Sequence, residues 1–146
     1  MGDENKKFKY LKFEKLIRDG NIKTIKDIGG EVVYNILQKK DLIYELKKKL
    51  VEEANEVLEA KTIEETIDEI GDVFDILQAL TKQLKINRIK VWKSRRKKSK
   101  QRGKIKKGVY CKYVKVPFDR NDKWMYKYED ITEEINNNTY SSNKKF

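Results

Sequence analysis

Between Ile43 and Leu84 the apolar residues recur at spacings of three, four and seven, and the pattern is interrupted only around Lys61-Thr62. Ile43, Leu46, Leu50, Ala54, Val57 and Leu58 precede the interruption; Ile63, Ile67, Ile70, Phe74, Leu77 and Leu84 follow it. That spacing is the period of an α-helix with one apolar face. Asp41 is the expected N-cap of the first helix, which runs to about Lys61. Thr62-Ile63-Glu64-Glu65 has the form of a capping box that starts the second. Two long amphipathic helices joined by so short a junction must fold back as an antiparallel hairpin, so the expected fold is all-α. The chain is 38% hydrophobic and 40% charged, which suits charged helices around a thin apolar seam. With 146 residues to build a core, the hairpin is expected to complete it against further copies of itself.

The remaining segments add a smaller helix on each side. Lys15-Leu16-Ile17-Arg18-Asp19 opens an apolar-periodic stretch through Ile22, Ile25 and Ile28, which Gly29-Gly30 stops. A very basic helix is expected from Ile89 to Lys100, ending near Gly103. Beyond Gly108 the composition changes. Segments 109–116 and 123–128 are rich in β-formers with turn residues between them, which predicts a small β-hairpin. The expected organisation is a flexible basic arm over 1–14, a helical domain over 15–110, a β-hairpin extension over 111–130 and a disordered polar tail over 131–146.

Composition also excludes chemistry. The chain contains no histidine, so Ser-His-Asp and Cys-His nucleophile systems and the HExxH zinc site cannot be built from it. Cys111 is alone, which leaves no internal disulfide and no thiolate cluster, and a free thiol fits a reducing compartment. No apolar run approaches the length of a membrane span, and the start MGDENKKFKY lacks the apolar stretch of a signal peptide. A soluble, cytoplasmic protein with no membrane partner is expected.

The charge distribution narrows the chemistry further. The net charge is +11 and roughly a quarter of the chain is basic, yet no Lys or Arg occurs from Thr62 to Thr81. A shuffled chain would leave such a gap in only about one window in two hundred. Measured from the turn at Thr62 with a rise of about 1.5 Å per residue, Glu56 and Glu69 lie about 9 and 10 Å along their helices. Glu53 and Asp72 lie about 14 and 15 Å along, one turn deeper. The four acids border the apolar stripes at matching heights, with Glu52 in support.

Like charges about 5 Å apart repel by about 3 kcal/mol per pair at an effective dielectric near 20. Four of them on one rung oppose folding unless a cation neutralises them. Oxygen-only ligands select hard ions, Mg²⁺ or Mn²⁺, and Mg²⁺ commonly bridges carboxylates to phosphates. Gly71, inside the second helix, suggests a place where a neighbouring helix or a substrate approaches the backbone closely.

In order along the chain stand Lys15-Leu16-Ile17-Arg18-Asp19, Gly30 and Tyr34, the EExxE run Glu52 to Glu56, then twelve residues, Glu69-x-x-Asp72, and Arg102-Gly103 with Gly108. This order resembles the MazG-like all-α nucleoside triphosphate pyrophosphohydrolases, above all the small members that begin KLVRD and are related to phosphoribosyl-ATP pyrophosphohydrolase. The resemblance covers about Lys15 to Tyr110. It implies Mg²⁺-dependent hydrolysis of a nucleoside triphosphate to the monophosphate and pyrophosphate, with a role in cleansing the nucleotide pool. By position it makes Glu53, Glu56, Glu69 and Asp72 metal ligands and Glu52 a ligand or a water-orienting base, so that Glu52 and Glu53 form the catalytic pair. It also implies dimers or tetramers of helical hairpins. The chain reads Gly20-Asn21-Ile22 where the family continues with Ile-Pro, and Arg102-Gly103-Lys104-Ile105 where the family has RGGF.

Ten residues from Lys93 to Lys107 are basic and none is acidic. Within the pyrophosphohydrolase reading they form a rim that draws in a polyanionic substrate, with Lys15, Arg18, Lys97 and Arg102 as candidate phosphate-binding residues. The rival reading is a nucleic-acid-binding module, for which the basic helix and the aromatic residues from Tyr110 to Tyr128 would supply phosphate contacts and base stacking. A third is a catalytically degenerate nucleotide-binding protein.

Overall fold

Glycine and capping residues set the helix ends where the local chemistry requires them. The structure, a computed structural model, describes residues 8–137, so the basic arm is seen only from Phe8 and the polar tail only to Asn137. Five α-helices follow in order: α1 (Asp19–Asp27), α2 (Lys39–Glu59), α3 (Ile63–Gln83), α4 (Arg88–Arg102) and α5 (Thr132–Asn136). The fold is all-α, with no strand among the described residues. None of these helices is long and apolar enough to cross a membrane.

At the end of α1, Gly29 N–H donates to Lys26 O and Gly30 N–H to Ile25 O, both at 2.9 Å. These two bonds are a Schellman ending, and Gly29 takes the left-handed φ of 80° that it needs. At the start of α3, Glu65 N–H donates to Thr62 Oγ1 at 3.1 Å while Glu65 Oε2 accepts from Thr62 N–H at 3.3 Å. The expected capping box is formed. Asn87 caps α4 through Ile89 N–H, and Gly103 terminates it with φ 79°. Asp41 does not cap α2. The N-cap is Gln38, with no side-chain cap bond, and Asp41 sits in the first turn, where its charge still complements the helix dipole.

α2 and α3 form the antiparallel hairpin, the main packing between helices. Which faces meet differs from expectation. The apolar stripe of α3 does not point into the seam: Ile63 is 74% exposed and Phe74 67%, and Ile67, Ile70, Leu77 and Leu84 are exposed too. The less exposed residues of α3 are Thr66, Glu69, Asp72, Val73 and Ile76, at helical spacing, and Ala79, Leu80 and Thr81 near its end. α3 therefore carries two usable faces, and the one set against α2 bears the acids. On α2, Leu46 and Glu53 are the only buried residues among those described, at 3% and 4% exposure. Ala54 and Leu58, expected in the core, are exposed.

The described chain divides into two compact units between Lys104 and Ile105, the first holding α1 to α4. In the second, the expected β-hairpin is not formed. Segment 109–116 is not in a strand, and Met125–Lys127 is a single turn of 3-10 helix. Local contacts hold the turn region instead. Arg120 N–H donates to Pro117 O at 3.0 Å, Arg120 pairs with Asp122, the Tyr126 hydroxyl donates to Asn121 Oδ1, and Trp124 meets Tyr128 edge-on at 6.2 Å. A two-stranded hairpin is marginal by itself, so such short-range bonds can displace it. The short α5, within a segment expected to lack structure, begins where Asp130 accepts a bond from Thr132 N–H at 2.9 Å.

Candidate metal centre

Three carboxylates from two helices converge in the seam. Glu53 of α2 and Glu69 and Asp72 of α3 each offer an oxygen, and these oxygens lie within 4.8 Å of one another. Their heights along the hairpin account for this meeting. Glu53 and Asp72 share one rung, and Glu69 sits three residues from Asp72 on the same helical face. Glu56 lies outside this group of three but close to Glu69, whose carboxyl it influences.

Glu53 is the most constrained member. Its Oε1 accepts from Lys49 Nζ at 2.6 Å, whereas its buried Oε2 has no hydrogen-bond partner among the described residues. A buried carboxylate oxygen without a donor is costly unless something else satisfies it. Glu69 shows the same stress from another direction. Partial desolvation in the seam, followed by the charges of Glu56, Glu53 and Asp72, raises its pKa above the ordinary glutamate value. The all-oxygen donor set and the orphaned oxygen both fit a hard divalent cation.

Basic side chains flank the acids on both helices. Lys15 Nζ donates to Glu52 Oε1 at 2.6 Å and Lys49 Nζ to the same oxygen at 3.2 Å. The Lys15 bond leads in lowering the Glu52 pKa. Arg18 forks across α3, donating from Nη1 to Asp75 Oδ2 at 3.0 Å and from Nη2 to Asp72 Oδ1. Its Asp75 bond and the Asp72 charge raise its pKa and keep it a cation. Burial works against the charge on Lys49, but its bonds to Glu53 and Glu52 outweigh it and raise that pKa too.

The residues read from sequence thus divide into two sets. The structure brings Glu52, Glu53, Glu56, Glu69, Asp72, Lys15 and Arg18 into one neighbourhood, with Lys15 and Arg18 paired to acids. Lys97 and Arg102 lie on α4. Among the described residues no hydrogen bond or ion pair joins either of them to those acids. Two participants were missed. Lys49 was legible as the residue one turn before Glu53, and Asp75 as the next acid after Asp72 at a spacing of three. Gly71 has open space where a Cβ would stand, so no neighbour among the described residues accounts for it.

Comparisons with protein-family models, with curated proteins and with solved structures give no match.

Proposed function

We propose that the chain is a divalent-metal-dependent nucleoside triphosphate pyrophosphohydrolase, converting a nucleoside triphosphate and water to the monophosphate and pyrophosphate. The observation that carries this reading is the convergence of Glu53, Glu69 and Asp72 around a buried carboxylate oxygen that no donor satisfies. These three residues would hold Mg²⁺ or Mn²⁺, with Glu56 beside Glu69 as a further ligand. Such an ion, when bound, neutralises charge on the phosphate oxygens and presents the phosphorus to a nucleophile.

The chain's own residues supply the rest. Glu52 is held ionised by Lys15 and Lys49, so it can accept a hydrogen bond from the attacking water and orient it. Its lowered pKa makes it a weak proton acceptor. The water oxygen bonds to the α-phosphorus, the bond from that phosphorus to the bridging oxygen breaks, pyrophosphate leaves with the bridging oxygen, and the proton of the attacking water passes to bulk solvent. Lys15 and Arg18, already at the rim of the acids, can transfer their bonds to phosphate oxygens as substrate enters.

The exposed stripe of α3 supports a homo-oligomer within the same reading. Ile63, Ile67, Ile70, Phe74 and Leu77 form one apolar face that stays exposed among the described residues, and the open space at Gly71 leaves room for a close helix. A dimer or tetramer of hairpins would bury it.

The test is incubation with mixed nucleoside triphosphates and Mg²⁺, measuring pyrophosphate against orthophosphate. Pyrophosphate release is expected, reduced on the order of 100-fold or more in Glu53→Gln and in Asp72→Asn by analogy with other metal-site losses. Undiminished release in both variants would place the chemistry elsewhere.

A further inference from the structure

We propose that α4 is a binding element for duplex DNA, seated in the major groove. Nine of its 15 residues are Lys or Arg and none is Asp or Glu. The helix therefore holds no acid that could relieve its own charge. Pairs such as Lys93 and Lys97, Arg96 and Lys100, or Lys98 and Arg102 set like charges one turn apart, which disfavours the helix unless an external polyanion neutralises them.

The angular distribution of the charges identifies the polyanion. At about 100° per residue the basic side chains encircle α4 instead of forming one stripe. A helix that lies on an anionic membrane needs an apolar face opposite its charges. The apolar residues of α4, Ile89, Val91 and Trp92, crowd into its first turns and form no such face. A ring of charge suits a ligand with anionic walls on both sides. The B-form major groove is about 12 Å wide, and a helix with its side chains is about 10–12 Å across. The A-form major groove is too narrow for such an element.

Size and aromatic content exclude smaller or more flexible partners. At about 1.5 Å per residue α4 is about 22 Å long, and its charge exceeds what one triphosphate can neutralise. Single strands are held by aromatic stacking platforms. α4 has a single aromatic residue, Trp92, and one face of its ring is taken by the Arg96 guanidinium, 5.3 Å from the ring centroid, so α4 offers no row of stacking rings. Arg96 lies on the same side of α4 as Lys93, Lys97 and Lys100.

The proposal stands apart from the metal centre and is tested separately. The full chain is titrated onto a fluorescently labelled mixed-sequence duplex, with anisotropy as the readout. If about six phosphates are neutralised, log affinity falls against log salt with a slope of about −5, and affinity drops about 1,000-fold between ~50 and ~200 mM salt. Replacing Arg95, Arg96, Lys98 and Lys100 by Gln, a good helix former, is expected to weaken binding about 100-fold and flatten the slope by about 3. Circular dichroism checks that helix content is kept. Lys93→Arg/Lys98→Arg/Lys100→Arg preserves charge and is expected to bind as the parent does, as is Glu53→Gln. Parent-level binding by the four-glutamine variant would overturn the assignment to α4. Tighter binding of single strands, or binding of phosphatidylserine vesicles in place of duplex, would overturn the groove-seated mode.

Discussion

Lys49 donates a 2.6 Å bond to Glu53 from one turn earlier on α2, yet Glu53 Oε2 is left buried with no donor. The lysine pairs half of the carboxylate and leaves the other half to whatever enters the seam. At 4% exposure for Glu53 and 14% for the Lys49 side chain, the pair is screened little by solvent.

Removing Lys49 should therefore expose the cost of the acid. Lys49→Met is expected to destabilise the metal-free protein by about 3 kcal/mol, the scale for breaking a buried pair. In the double variant Lys49→Met/Glu53→Gln most of that loss should return. Urea unfolding of the four proteins in a double-mutant cycle measures the coupling; additive effects would show that the pair is not energetically linked.

The carboxylate cluster predicts an unusual pH response without metal. The folded chain raises the pKa of Glu69, so between the ordinary value of about 4.5 and the raised value it holds more protons than the unfolded chain. Stability must then fall as pH rises through that window. Glu52, whose pKa is lowered, contributes with the opposite sign: its stabilisation is present above the ordinary value and lost as pH falls through the lowered one. Glu69→Gln is expected to raise the melting temperature in EDTA and remove the descending segment. Mg²⁺ should raise the melting temperature of the parent more as pH rises through the window, because Glu69 loses its proton there and becomes free to bind the ion.

The uncovered stripe on α3 predicts association. Fully burying an Ile or Phe side chain contributes about 2 kcal/mol, so several together can hold a second hairpin. Sedimentation should find the parent above monomer mass and Ile67→Glu/Phe74→Glu at monomer mass. A parent that sediments as a monomer at micromolar concentration would sink the oligomer reading.

The junction between α2 and α3 depends on a reciprocal cap. Thr62→Ala removes the acceptor for Glu65 N–H and is expected to cost about 1 kcal/mol in urea unfolding. Glu65→Ala should cost as well, because Glu65 Oε2 also accepts from Lys61 N–H at 2.8 Å. Thr62→Asn should recover most of the loss. A null effect of Thr62→Ala would mean the turn is held by packing alone.

Helix positions were legible because their causes are local. The Thr62 and Glu65 cap, the Gly29-Gly30 stop after α1 and the Gly103 stop after α4 each act within a few residues. The expected β-hairpin shows the limit: β-rich composition at 109–116 states a preference, but a ladder requires a partner strand, and residues 117–128 satisfy themselves by short-range bonds. The rungs of the acidic ladder were also readable, since rise per residue sets height once the turn is known.

By itself, then, the sequence determined where α3 begins and where α1 and α4 end, that α2 and α3 fold back on each other, and which acids share a level. Only the tertiary structure decided which face of α3 meets α2. Periodicity places residues at angles around an axis, and α3 has both an apolar stripe and a mixed face with Val73, Ile76 and Leu80. Either could pack, and the choice depends on the facing helix and not on the period. In the single chain the mixed face packs inward, which carries Glu69 and Asp72 to Glu53 and leaves the stripe from Ile63 to Leu77 exposed.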